Sequence, residues 1–323
     1  MKALCIFSGG LDSILAVELI RTHGIDVTGF FFDTPFFKSG IARKSALSIA
    51  LPLKIINITK RHLEIVKNPE HGYGGNMNPC IDCHILMCRI AGEMLDKEGA
   101  AFVITGEVLG QRPMSQNIKA LSMVAHESGL GALLLRPLSA GHLPPTIPEE
   151  KGWVKRELLM NFHGRSRKPQ IALAKRLNIN DYPNPAGGCL LTEKGFSRRL
   201  KDLISFSSPL LATEIELLKL GRHFRINAGT KLVAGRNEKE NELIHSLSGD
   251  QDIILTTISV PGPVVLVSGD LSDLSFEISA AITAAYSDAE DGREIPVRIT
   301  GILGEKTLIT VVRDKNEFRQ YMI

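Results

Sequence analysis

An α/β fold built on a doubly wound parallel sheet, with a smaller α+β domain behind it, is what this sequence predicts. Three observations carry that prediction. Through the first half, short apolar runs alternate with stretches of helical periodicity, the pattern of strands covered by helices on both faces. A glycine turn joins the first apolar run directly to the first helical stretch. From about residue 211 the spacing changes to closely set strand-like runs around two helical patterns.

The apolar runs of the first half fall at 2–7, 27–32, 54–58, 102–105 and 132–135. Helical stretches lie between them at 12–21, 39–50, 80–96 and roughly 114–127. In such a fold ligands bind beyond the carboxyl ends of the strands, where the glycine turn sits. A proline-rich break at 141–148 follows, then basic helical segments at 151–161 and 169–177, a loop at 180–188 and a helix at 196–204. The last part reads as strands at 231–233, 253–258, 264–267, 296–299 and 307–312 around helices at 238–247 and 274–286. The expected division is a nucleotide-site domain over 1–178, a connector over 179–210 that carries Cys189, and an α+β domain over 211–323. No internal repeat and no low-complexity tract interrupts it.

At 323 residues and 44% hydrophobic content the chain can bury two cores. No apolar run approaches the roughly 20 residues that span a bilayer, so no membrane partner is expected. Met1-Lys2 leads straight into the first strand without an apolar signal segment, and the expected location is cytoplasmic. The five cysteines, at 5, 80, 83, 88 and 189, then belong to a reducing compartment, where clustered thiols mean metal or sulfur chemistry sooner than disulfides. Net charge is +3, yet 17 Lys/Arg and 6 Asp/Glu fall between Lys151 and Arg236, a local +11 that leaves −8 for the rest. A polyanion would feel the middle of this chain most.

The turn itself reads Ser8-Gly9-Gly10-Leu11-Asp12-Ser13. Paired glycines let backbone N–H groups approach an anion, and the helix behind them adds unpaired N–H groups and the positive end of its dipole. Ser8 and Ser13 add hydroxyls, and Asp12 can hold a metal ion or cap the helix. No Lys-Ser/Thr pair follows the glycines, which excludes the Walker-type loop.

Cys80-Ile81-Asp82-Cys83 opens a helix after the turn-rich loop 71–79, and Cys189 follows Pro185-Ala186-Gly187-Gly188 about a hundred residues later. Three readings stay open. Cys80, Cys83 and Cys189 could ligate a [4Fe–4S] cluster with one open iron. A pair such as Cys83 and Cys189 could shuttle a persulfide and close a disulfide. The thiols could instead be structural, through zinc with a fourth ligand such as His84. Cys5 and Cys88 read as small core residues.

The glycine turn resembles the PP-loop of the ATP pyrophosphatase superfamily, whose adenine nucleotide alpha hydrolase-like fold uses ATP to adenylate an oxygen and release pyrophosphate. The resemblance implies ATP with Mg²⁺ at Ser8, Gly9, Gly10, Leu11, Asp12 and Ser13. Phe32, ending the second strand, is placed for adenine. Ile104-Thr105-Gly106-Glu107-Val108-Leu109-Gly110-Gln111, with Ser115-Gln116, is similar to the Thr-Gly-Glu-Ser-Leu-Gly-Gln…Ser-Gln signature of 4-thiouridine synthetases. Arg136-Pro137-Leu138 matches a stretch of the same family, and Asn78-Pro79-Cys80 resembles the Asn-Pro and nearby cysteine of 2-thiouridylases at tighter spacing. Together these cover roughly residues 1 to 190, and add Gly106 and Gln111 to the expected nucleotide site.

Residues 234–243 and 260–266 resemble the Gly-Arg-Asn and Pro-Gly-x-x-Val-Val pattern of NFACT-R RNA-binding domains, without the usual Trp-Phe-His before the Pro-Gly. Nearby Arg222, Arg225, Lys231 and Arg236 offer charge to phosphates. The whole implies an ATP-dependent tRNA sulfurtransferase: Asp12 and the turn adenylate a uridine carbonyl, and Cys80, Cys83 and Cys189 supply sulfur. The implied partners are tRNA and a sulfur donor, either sulfide or a persulfide carrier protein, with a homodimer open. The competing readings are a PP-loop amidoligase, another small-molecule sulfur-transfer enzyme, or an RNA-binding ribosome-associated factor with a regulatory ATP site.

Overall fold

In the computed structural model, residues 1–184, 189–207, 209–269, 272–301 and 304–323 are described. The chain divides into two compact units, Met1–Thr192 and Glu193–Ile323. The segment read as a connector is shared between them.

The first unit runs β1 (Lys2–Ile6), α1 (Leu11–Arg21), β2 (Asp26–Asp33), α2 (Gly40–Ser48), β3 (Leu53–Asn57), α3 (Thr59–Lys67), α4 (Cys80–Glu93), α5 (Leu95–Glu98), β4 (Phe102–Thr105), α6 (Ile118–Glu127), β5 (Leu134–Leu135), α7 (Ile147–Glu150) and α8 (Lys168–Arg176). The strands form one parallel sheet in the order β3-β2-β1-β4-β5. Successive side chains of a strand point to opposite faces, and the two cores follow that alternation. Ala3, Cys5 and Phe7 pack under α1 and α8, with Leu15, Leu173 and Ala174. Leu4, Phe30 and Phe32 pack under α4, with Leu86, Ala91 and Val124. After β1 the chain winds outward to β2 and β3, then crosses back to β4 on the other side. The crevice between the carboxyl ends of β1 and β4 is therefore the switch point at which doubly wound sheets hold ligands.

Three departures from the expected elements have identifiable causes. The segment 151–161 is not a helix and keeps only a 3-10 turn at Arg156–Leu158. Gly152 turns the chain at φ +67, Trp153 stacks on Phe102 with centroids 6.2 Å apart, and Val154 is buried. The proline-rich break holds the short helix α7 instead. It is started by a capping box between Thr146 and Glu149, and Arg156 fixes it by bonding Glu149 and the carbonyls of Ala140 and Leu143. The helix expected from about residue 114 begins at Ile118, where the Asn117 side chain accepts from Ala120 N–H.

The second unit runs α9 (Lys194–Phe206), α10 (Ala212–Leu217), β6 (Arg222–Arg225), β7 (Thr230–Ala234), α11 (Glu238–Leu247), β8 (Ile253–Thr257), β9 (Val265–Gly269), α12 (Asp273–Ala285), β10 (Glu294–Gly301) and β11 (Gly304–Val311). Its sheet is antiparallel, in the order β11-β10-β8-β9-β7-β6. The small-residue face of α12 covers one side with Ala280, Ala281 and Ala284, and Ile244 of α11 meets Val233 and Leu266 on the other. The sequence reading missed α3, α10 and β6. Among the described residues no helix is long and apolar enough to cross a membrane.

The cations expected to meet phosphate in this unit are largely engaged. Arg225 forks onto Asp202 at 3.0 and 2.6 Å, and Lys231 Nζ lies 3.7 Å from the same carboxylate. Arg236 pairs with Glu240 four residues on, and Arg222 stacks on Tyr286 with its Cζ 4.8 Å from the ring centroid. Each of these four already has a partner within the unit.

Candidate active site

A cavity of about 510 Å³ opens beyond the carboxyl ends of β1, β2 and β4, within the size range of small-ligand sites. One wall is apolar, with Ile6, Phe30, Phe32 and Met87; the other carries Ser8, Asp12, Ser13, Gln111, Arg112 and Gln116. His84, Glu107 and Cys189 also line it. Phe32 thus stands in both the core and the cavity wall, 2% exposed.

The glycine turn is held before any ligand arrives. Gly9 adopts φ +79, which an L side chain rarely takes, and a Cβ there would lie 2.7 Å from Ala42 Cα of α2. Ser45 Oγ donates to Gly9 O at 2.8 Å, Ser13 Oγ to Gly10 O at 2.8 Å, and Gly10 N to Ser8 Oγ at 3.3 Å. Gly10, in extended backbone, caps α1 without a side chain, leaving the first N–H groups of the helix for an anion. Leu11 points into the core, so only its backbone can serve a ligand.

Asp12 is the charged centre of the turn. Gln111 Nε2 donates to its Oδ2 at 3.0 Å, and its Oδ1 is buried with no hydrogen-bond partner. Burial raises its carboxyl above the usual range, against the pull of Gln111, Arg167, Gln170 and Arg112. Gln116 Oε1 is also buried and unpartnered, and Gln170, 1% exposed, leaves both ends of its amide without a geometric hydrogen bond. Buried polar atoms are rarely left so. Gln170 acts on the Asp12 carboxylate and Gln116 lines the same cavity, and the free Asp12 oxygen suits a divalent cation.

Gly106 has a nearer reason than nucleotide access. A Cβ there would lie 2.5 Å from Ser13 N and 2.6 Å from Asp12 C, so only glycine lets β4 end against the first turn of α1. Glu107, next along, is buried beneath the cavity. Arg136 Nε donates to its Oε2 at 2.8 Å, Thr105 Oγ1 to the same oxygen at 3.0 Å, and His84 Nδ1 lies 2.8 Å from Oε1. Burial opposes its charge, but Arg136 and His84 together hold its carboxyl well below the usual range.

His84 passes this charge on. It lies one helical turn beyond Cys80 on α4, hydrogen-bonds that thiol, and is pushed up to about 10 by Cys80 and Glu107 despite the cost of burial. Burial would raise the Cys80 thiol, yet His84, the Ser115 hydroxyl and Arg112 bring it down to about 7. A thiolate–imidazolium pair follows. Burial pushes Cys83 well up, and its Sγ lies 2.8 Å from His62 Nε2. Burial also raises Cys189. The three thiols are near enough to act on one another's charge. The late cysteine is brought there because Met77 N donates to Leu191 O at 3.2 Å and Asn76 Nδ2 to Thr192 O at 2.5 Å, tying its segment to the loop before α4. The preceding Pro185–Gly188 stretch lies outside the described residues. Cys5 and Cys88 are buried with thiols raised above their ordinary range.

Among the described residues, no three His, Cys, Asp or Glu side chains are gathered about a single metal-ion position. His84, the zinc ligand considered from sequence, is turned to Glu107 and Cys80. A multi-iron cluster spreads its thiolates wider than one ion does, and three convergent cysteines are the donor chemistry it takes. Sequence reasoning missed Gln170, Arg167 and Arg112. Arg112 and the neighbours of Asp12 become legible only when β1 and β4 are known to be adjacent.

Two regions of the chain each match a family model. Residues 1–141 match the family model described as thiamine biosynthesis protein (ThiI), and residues 221–322 match the NFACT protein RNA binding domain. The first unit is thus a parallel α/β domain similar to that family over its first 141 residues. Curated proteins named probable tRNA sulfurtransferase align with the same region. The probable tRNA sulfurtransferase of Anoxybacillus flavithermus is 30% identical over 146 residues, 42% of this chain and 35% of the relative. That of Bacillus subtilis is 30% identical over 148 residues, 43% of this chain and 35% of the relative. The matched region spans about a third of the length of these relatives. A solved 4-thiouridine synthetase–RNA complex with bound ATP aligns at 21% identity and a TM-score of 0.35, over 55% of this chain and 51% of that one.

Proposed function

We propose that this chain is an ATP-dependent tRNA sulfurtransferase that replaces a uridine carbonyl oxygen with sulfur. The observation that carries the reading is one cavity lined by both the glycine turn, with its unpartnered Asp12 oxygen, and Cys189, with Cys80 hydrogen-bonded to the lining His84. Adenine takes the apolar wall with Phe32. The N–H groups of the turn and α1, with the Ser8 and Ser13 hydroxyls, hold the phosphates, and Asp12 Oδ1 takes Mg²⁺. Gln111 orients Asp12. A uridine turned out of folded RNA presents its carbonyl oxygen to the α-phosphorus. The bond between α-phosphorus and bridging oxygen breaks, pyrophosphate leaves, and the uridine becomes an adenylate. Sulfur then attacks the activated carbon, the carbon–oxygen bond breaks, and AMP departs. Arg112, which acts on Asp12, Cys80 and Cys189 alike, offsets negative charge as sulfur and phosphate approach.

The donor set of Cys80, Cys83 and Cys189 fits a [4Fe–4S] cluster, which would supply an iron with an open position for exogenous sulfide. The persulfide route draws on another observation, the thiol of Cys80 held near 7 by His84. On that route the outer sulfur of a persulfide attacks, a second cysteine displaces it as a disulfide closes, and a thiol reductant restores the pair. The donor is sulfide on the cluster route and a persulfide carrier protein on the persulfide route, a homodimer is open, and the cytoplasm supplies ATP, tRNA and reduced thiols.

The test is anaerobic incubation of the purified chain with tRNA, ATP and Mg²⁺, in parallel with sulfide and with a persulfidated carrier protein as sulfur donor, read by pyrophosphate release and by mass spectrometry of the nucleosides. Asp12→Ala should lower pyrophosphate release about 100-fold or more. Undiminished release in that variant overturns the ATP site, and a wild-type chain that yields AMP without thiouridine overturns the sulfur step. Iron and sulfide analysis of the same preparation separates the two sulfur routes: the cluster route needs bound iron and runs on sulfide, whereas an iron-free protein that thiolates with the persulfidated carrier and not with sulfide leaves the persulfide route.

A further inference from the structure

The helix α8 lies beyond residue 141, where the match to the ThiI model ends, and nothing assigns it a role. Between residues 159 and 180 the chain carries Arg165, Arg167, Lys168, Lys175 and Arg176 and no Asp or Glu. None of the five has a carboxylate within ion-pair distance among the described residues. Four of them, Arg165, Lys168, Lys175 and Arg176, are exposed. Within α8 the residues 168, 172, 175 and 176 share one face, whereas Gln170, Leu173 and Ala174 face the other way and are buried. That buried side packs on α1, the helix that carries Asp12. At its start Arg167 is only half exposed and near enough to act on Asp12.

Unneutralised cations held on a rigid helix are what a nucleic-acid backbone seeks, because each phosphate they pair releases condensed counterions. The arrangement contrasts with a solvated helix face, which interleaves both signs so that its charges pair along the helix. It also runs towards the cavity, since its inner end shares Asp12 with the cavity wall.

We infer that the exposed face of α8, with Lys168, Lys175, Arg176 and Arg165, is a phosphate-backbone track that lays tRNA against the amino-terminal unit and leads it to the cavity. This rests on the sulfurtransferase reading for the identity of the polyanion, and on the geometry alone for its place. It gives the first unit its own grip on RNA, independent of the NFACT-R-type unit. The contacts are to backbone, so they position the substrate without reading its sequence.

The test uses the full-length chain and compares three proteins: wild type, Lys168→Ala/Lys175→Ala/Arg176→Ala, and a charge-matched control, Lys60→Ala/Lys97→Ala/Lys119→Ala, whose three exposed lysines lie elsewhere on the same unit. Binding of unmodified tRNA is measured by filter retention across a salt series, and ATP binding by calorimetry without RNA. The α8 variant should lose about tenfold or more in tRNA affinity, with a slope of log K against log salt shallower by about 2 to 3. The control should keep most of both, and ATP affinity should be the same in all three. An α8 variant with wild-type affinity and slope overturns the track while leaving the sulfurtransferase reading standing. Equal losses in variant and control also overturn it, because the charge would then act without regard to place. Should the wild type fail to retain tRNA at all, the sulfurtransferase reading falls and the track with it.

Discussion

Three sets of cations in this molecule look alike in the sequence and are used in different ways. Arg136 of the first unit is sealed against Glu107, each side chain 5% exposed. Arg225 and Lys231 of the second unit share Asp202 in a half-sheltered cluster. The cations of α8 have no carboxylate within ion-pair distance among the described residues and face water. What separates them is burial: a sealed charge must be matched by another, whereas an exposed one is free to meet a ligand. A count of Lys and Arg therefore measures charge and says nothing of its availability.

The most buried pair should show the largest cost when broken. Glu107→Gln leaves Arg136 uncompensated in the interior and should destabilise the first unit by about 3–5 kcal/mol, read from chemical denaturation. A loss below about 1 kcal/mol, no more than an exposed pair is worth, would erase the distinction on which the comparison rests. The second unit offers a pH test. Burial costs Lys231 more than Asp202 returns, so its ammonium is pulled from 10.5 down to about 8. The charged form is thus disfavoured on folding. Stability should be penalised below pH 8 and recover as pH rises from 8 to 10.5, by up to roughly 3 kcal/mol. Lys231→Met should flatten that rise, and an unchanged pH profile in the variant would mean the ammonium is better compensated than its surroundings indicate. The smallest effect belongs to α8, where Lys168→Ala/Lys175→Ala/Arg176→Ala should move the thermal midpoint by no more than surface substitutions do, within about 0.5 kcal/mol each. A large drop would make those side chains structural.

The sheet was legible because short continuous apolar runs and helical spacing are local signals, and the glycine turn because its six residues sit between a strand and a helix. The 151–161 segment was not, because its course is fixed by Trp153 reaching Phe102 and Arg156 reaching three distant acceptors. The same limit applies to the site. Asp12 and the three cysteines could be picked out by residue type and spacing. The line from Arg136 through Glu107 and His84 to Cys80 could not, since it joins residues from three separate stretches of chain. Gln170 carries no motif at all, and only its burial beside Asp12 marks it.

The strand order has a practical corollary for anyone who would shorten this protein. All five strands of the parallel sheet are complete by Leu135, so a fragment cut where the family match stops, at residue 141, would look finished on paper. It would lack Leu173 and Ala174, exposing the flank of α1 that they cover, and would carry the glycine turn without its third thiol. Such a truncation would aggregate or bind nucleotide idly; the smallest piece worth expressing extends to Thr192.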